Sequence, residues 1–203
     1  MCCWQREKEV GYTVQSGYRA LREDHHGQHR ECFKYLWDLK VPGTTKIFGW
    51  KALLDRLPSK ANLEMRGMGM GSNHYPLCAK EVETIQHLLI TCEAAQQLWV
   101  KCDKWLGISS TRSNEVYSHF CGFSLSFLSV KANKAWKGMW LVLVKEIWNH
   151  RNRLIFNKEK VDEVEIFALV QMNAWTWAMF SGIRVQGSLS EWFMNTFEFL
   201  KQM

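Results

Sequence analysis

Between Lys131 and Asn157, the residues Trp136, Trp140, Val144, Ile147 and Trp148 return at helical spacing, with Leu143 and Leu154 widening the same stripe. That period sets large apolar side chains along one face of a long helix. A face carrying three tryptophans must be covered, so the rest of the chain has to pack around this rod or supply an interface for it.

The remaining segments read mostly as shorter helices. Near the start, Tyr12, Thr13 and Val14 favour extended backbone, and Ser16 can cap a short helix. Residues 23–31, EDHHGQHRE, form a polar loop; His25, His26 and His29 lack the cysteine or carboxylate pattern that completes a metal site. Phe33, Leu36 and Trp37 predict an amphipathic helix over 32–39, ended by Pro42 and Gly43. Thr44 or Thr45 then caps a helix with Ile47, Trp50, Leu54 and Leu57 on one stripe, Phe48 beside it and Pro58 as its stop. Ser59 caps a third that carries Leu63 and ends at Gly67, before a loop over 68–73. Residues 109–114 are polar and read as a linker. One more helix follows Asp162, and a last one after Ser190 carries Trp192, Phe193, Phe197 and Leu200.

At 203 residues the chain suffices for one large domain or two small ones. The net charge of +6 is unevenly placed, since residues 131–160 hold eight basic and two acidic groups. Such an excess attracts polyphosphate, although most charge runs are solvated faces. Seven irregularly spaced cysteines fit free thiols in a reducing compartment better than a disulfide framework. The opening MCCWQREKEV is too charged for a secretory signal, so an intracellular site, nucleus or cytoplasm, is expected. The run 166–183 has no charged residue, but Gln171, Asn173, Thr176 and Ser181 interrupt it. A buried or interface helix is expected there, not a membrane span.

The residues closest to a chemistry lie in HYPLCAKEVETIQHLLITCEAAQQLW, residues 74–99. Cys78, His87 and Cys92 offer two thiolates and an imidazole, the ligands zinc prefers in closed tetrahedral sites, and such sites want four. A cysteine three positions before Cys78 would complete the set, but Tyr75 stands there, and a phenol stays protonated near neutral pH. His74 is the replacement to expect, and Cys102 a more remote one. In an unbroken α-helix, five residues set His87 and Cys92 about 140° apart, too far to share an ion. A shared metal therefore requires a break near residues 91–93; without one, Cys92 is a core cysteine beside Leu88, Leu89 and Trp99.

Ordered landmarks carry a family resemblance. They are Gly11-Tyr12-Thr13-Val14, Ser16-Gly17-Tyr18, Leu36-Trp37-Asp38-Leu39-Lys40-Val41-Pro42, Phe48-Gly49-Trp50-Lys51, Leu57-Pro58-Ser59 and Arg66-Gly67. The 78–99 stretch follows with Glu83-Thr84, His87-Leu88, Cys92 and Trp99, and then Trp148-Asn149-His150-Arg151-Asn152. The chain resembles the zinc-binding region of reverse transcriptases from plant non-LTR, long-interspersed-type retroelements. The resemblance implies zinc at Cys78, His87 and Cys92, with Tyr75 in place of the family's first cysteine. It also implies contact with RNA or DNA.

The fold expected is mainly α, with at most a short N-terminal strand: a zinc-binding-like region over 4–107, a linker over 108–130 and a helical region over 131–203. Neither the carboxylate pair of a polymerase nor the spaced acids of a ribonuclease H surround the scattered Asp24, Asp38, Asp55, Asp103 and Asp162, so no catalysis is expected. The function expected is a non-catalytic, retroelement-derived module that grips phosphates with Lys131, Lys134, Lys137, Lys145, Arg151 and Arg153. The alternative is a metal-free interaction protein that meets a partner or its own copy through the apolar 166–183 helix.

Overall fold

The computed structural model describes residues 30–69, 71–108, 112–159, 162–180 and 187–201. The strand expected at residues 12–14, the cap at Ser16, the histidines of the polar loop and residues 181–183 lie outside them. Among the described residues the protein is mainly α, with no strand beyond an isolated antiparallel bridge between His74 and Val82. No helix among them is long and apolar enough to cross a membrane. The chain divides into two compact units, residues 1–38 and 39–203.

In the first unit the described part is α1, Arg30–Asp38. Glu31 in its first turn complements the positive end of the helix dipole. Cys32, Phe33 and Leu36 share its buried stripe, while Trp37 is 47% exposed.

The second unit begins with α2, Gly43–Leu53. Neither threonine caps it: the Pro42 carbonyl accepts from the N–H groups of Thr45 and Lys46, and the buried Thr45 hydroxyl accepts from Lys145 Nζ at 3.1 Å. The expected stripe is also corrected. Ile47 is exposed, and the buried face is Thr45, Gly49, Ala52 and Leu53. Small residues win because they let the backbone of α2 lie close against a neighbouring helix, which a row of large side chains prevents. Helix α3, Lys60–Met65, is capped as expected by Ser59, whose Oγ accepts from Asn62 N at 3.3 Å. The buried Asn62 amide in turn donates to the Asp55 and Leu57 carbonyls and pins the preceding turn.

Helix α4, Glu93–Leu106, ends at Gly107, whose φ of +63° is the left-handed cap that glycine adopts without strain. The linker expected over 108–130 contains α5, Val116–Cys121, with Val116 and Phe120 buried. Helix α6, Val130–Asn152, starts on a Ser129 cap and runs into a π-turn, Arg153–Asn157. Helix α7, Glu163–Phe180, and α8, Leu189–Lys201, complete the unit.

Helix α6 is the core rod the sequence demands. Trp136, Trp140, Leu141, Leu143 and Val144 are at most 1% exposed. Trp136 stacks on Phe123 with ring centroids 4.2 Å apart, and Trp140 meets Phe120 edge-on at 4.9 Å and Trp99 at 6.4 Å. Helices from both sides of the supposed linker therefore share one aromatic core, and no domain boundary separates 39–107 from 131–201. Helix α7 buries Ile166, Val170, Ala174, Trp177 and Ala178, and it leaves only Val164, Met172 and Met179 as exposed large apolar groups among its described residues. Its apolar character thus belongs mostly to the core.

Candidate metal centre

A short doubled-back loop carries the first donor. Tyr75 N–H donates to Glu81 O at 2.9 Å and Glu83 N–H to Asn73 O at 2.8 Å, so residues 73–75 and 81–83 run antiparallel, and the turn between them presents Cys78. Ala79 takes the positive φ (53°) that the turn requires. The second donor comes from a π-turn, His87–Thr91, whose entry is fixed by Thr84 Oγ1 accepting from His87 N–H at 3.0 Å. The turn closes with Cys92 N–H donating five residues back to His87 O, at 2.8 Å. Cys92 itself is extended (φ −61°, ψ 138°) and immediately precedes α4. The π-turn and this one extended residue are the break that the spacing demands: they carry Cys92 back to the side on which His87 points.

The donor atoms of Cys78, His87 and Cys92 lie within 4.8 Å of one another, and Cys78 Sγ is 3.3 Å from His87 Nε2. Tetrahedral zinc, with Zn–S near 2.3 Å and Zn–N near 2.0 Å, sets its donors roughly 3.5–3.8 Å apart, so the cluster needs only a small contraction. On the far side of the imidazole, Nδ1 faces Glu81 Oε2 at 3.2 Å and Thr91 Oγ1 at 3.4 Å. A carboxylate on one ring nitrogen orients the ring and leaves the other for a metal, an arrangement common around bound zinc. Cys92 and His87 are buried and Cys78 is half-buried. Burial first, and then the neighbouring Cys78 sulfur, raise the Cys92 thiol pKa, while the backbone N–H groups of Ala94 and Ala95 pull it down. Two sulfurs and an imidazole nitrogen brought this close together are the donors zinc prefers, so the donor set fits zinc.

The fourth position is where the sequence reasoning fails. Tyr75 is 1% exposed and lies edge-on to His87, with ring centroids 6.0 Å apart. Burial, followed by the negative neighbours Cys92, Glu83 and Cys78, pushes its phenol pKa well up, so it stays protonated and is no ligand. His74 does not replace it. Its side chain is exposed and outside the donor cluster, because its backbone is held in the bridge to Val82 and its carbonyl accepts from Lys60 Nζ at 2.8 Å. Cys102 is sealed in the core on α4, its thiol pushed up to about 12 by burial, and it too is outside the cluster.

The six basic candidates part company. Lys137 is buried and donates to the Phe120 and Cys121 carbonyls at 3.0 and 2.9 Å. Arg151 is buried against Glu83, with Nη2 2.5 Å and Nε 3.1 Å from Oε1. Both are internal braces, which corrects their reading as phosphate contacts. Lys131 is exposed, Lys134, Lys145 and Arg153 are half-buried, and Arg153 lies 3.8 Å from Glu165. Lys145 also braces the fold, through its bond to the buried Thr45 hydroxyl. At about 100° per residue, Lys131 and Lys134 fall about 60° apart, opposite Trp136 and Trp140.

Sequence reasoning missed the Glu83–Arg151 pair, which fastens the end of α6 to the loop that carries Cys78. Glu83 is fully buried and also accepts from Lys60 N–H at 3.0 Å. The signal was available, because both residues stand among the landmarks that carry the resemblance. It missed Glu81 as well, whose role depends on the loop's return path.

No curated protein and no solved structure matches the chain. Residues 12–99 match the model of the family described as zinc-binding in reverse transcriptase, and that stretch is similar to this family.

Proposed function

We propose that the chain is a non-catalytic, retroelement-derived module in which one zinc ion fastens the 73–83 loop to the start of α4, and whose basic surface holds RNA or DNA. The observation that carries this reading is the convergence of two sulfurs and one correctly oriented imidazole within 4.8 Å. Zinc there serves as a structural clasp, and because the donors come together only in the folded chain, its binding free energy becomes folding free energy. Nucleic acid is held by phosphate contacts at Lys131 and Lys134 on α6, supported by the overall charge of +6. Such contacts fix position without reading sequence.

Two measurements test it. Protein purified without added metal should contain one zinc per chain, and a chelator should lower its thermal midpoint. Fluorescence anisotropy with a labelled single-stranded RNA and a DNA duplex should show binding that weakens steeply with added salt. Replacing the exposed Lys131 by alanine should flatten the salt slope by about 1. A chain without zinc, or one that binds neither probe at low salt, contradicts the corresponding half of the reading.

A further inference from the structure

Two of the three donors, Cys78 and Cys92, line a cavity of about 350 Å³, together with Tyr75, Ile147, His150 and Glu163 among others. Four of the side chains around it, besides the cluster, carry a possible metal-ligating atom. Tyr75 keeps its proton, Glu93 pairs with Lys80 at 3.4 Å, and Glu163 pairs with Lys101 at 3.2 Å. His150 is different. It is 3% exposed, its Nε2 is sealed from solvent with no partner, and its ring makes no hydrogen bond among the described residues. A buried imidazole left unsatisfied costs folding free energy and calls for a reason.

We infer that His150, on the last turn of α6, is the fourth zinc ligand of this chain and replaces the cysteine lost at Tyr75. The inference rests on the zinc reading above. His150 lines the cavity without being among the donors enclosed within 4.8 Å, so ligation requires its ring to turn about its side-chain bonds toward the sulfurs, and its Nε2 has no hydrogen-bond partner to give up. The ion then joins four segments: the loop at Cys78, the π-turn at His87, the start of α4 at Cys92 and the end of α6. The site stays closed and structural, with two sulfurs and two imidazoles, one of the ligand sets zinc adopts in such sites.

X-ray absorption on the zinc-loaded full chain counts the ligands. Wild type should show two sulfurs and two imidazoles. His150→Ala should lose one imidazole and bind zinc at least about tenfold more weakly in competition with a chromophoric chelator. His150→Cys should raise the sulfur count from two to three, and it keeps the test valid if the alanine variant folds poorly. His74→Ala should change nothing. Wild type that binds no zinc overturns the metal reading itself. Wild type that binds zinc through one imidazole, with a sulfur count still at two in His150→Cys, overturns the assignment of His150 alone.

Discussion

Glu81 Oε2 stands 3.2 Å from Nδ1 of His87, on the side of the ring away from Cys78, although Glu81 is itself mostly exposed. Removing it in Glu81→Ala should weaken zinc binding about 10- to 100-fold, as loss of such supporting carboxylates does elsewhere. Chelator competition reads this directly, and unchanged affinity would mean that Thr91 and packing alone orient the ring. Glu83 and Arg151 act at the same scale but on stability. Breaking a buried pair strands a charge, so Arg151→Met should cost about 3–5 kcal/mol, while the double variant Glu83→Leu/Arg151→Met should recover part of that loss. Denaturant unfolding of the wild type, both single variants and the double variant measures it, and additive losses would show that the two side chains stabilise independently. Residue identity made the sulfur and imidazole donors legible, because few roles suit those side chains at that spacing. Arg151 and Lys137 were illegible because a basic residue near aromatic neighbours reads as surface until its acceptors, Glu83 Oε1 and the α5 carbonyls, are brought to it by distant parts of the chain.

Elements were read well where one face dominates and poorly where size matters more than hydrophobicity. The long stripe of α6 and the caps at Ser59 and Ser129 are local, short-range signals. The buried face of α2 is set by Gly49 and Ala52, whose value lies in what they omit, and no periodicity of large residues reports that. Gly138 works in the same way between α6 and α7. A Cβ built there would stand 2.5 Å from Cη2 of Trp177, and that indole is itself held by a hydrogen bond to the Lys40 carbonyl. Alanine at an exposed helical site stabilises by about 1 kcal/mol relative to glycine. Here the overlap should outweigh that gain, so Gly138→Ala should destabilise the chain by about 1–3 kcal/mol. A raised unfolding midpoint would show that α7 can shift away at little cost.

At the scale of the molecule, α4, α5 and α6 meet around one imidazole. His119 is 3% exposed, its Nδ1 accepts from Trp140 Nε1 at 2.8 Å, and its ring lies 4.5 Å from that of Trp99. The accepting nitrogen must be unprotonated, so the packed state holds neutral histidine. Burial first, and then the Arg112 guanidinium, lower its pKa from 6.5 to about 4. A folded-state pKa below the unfolded one means that the unfolded chain binds the proton first as the solution is acidified. The stabilisation is therefore complete above pH 6.5 and is lost as pH falls from there toward 4, by up to about 3 kcal/mol. Zinc release also falls in the acid range, because thiolates must protonate, so the measurement belongs in excess chelator, where metal contributes nothing. Under that condition the urea midpoint of the wild type should drop between pH 7 and pH 4.5 more steeply than that of His119→Gln. The glutamine oxygen can accept the Trp140 N–H and does not titrate. Parallel declines would place the acid sensitivity in the carboxylates instead. A steeper wild-type decline would show that the three helices are joined through a neutral histidine as well as through apolar area.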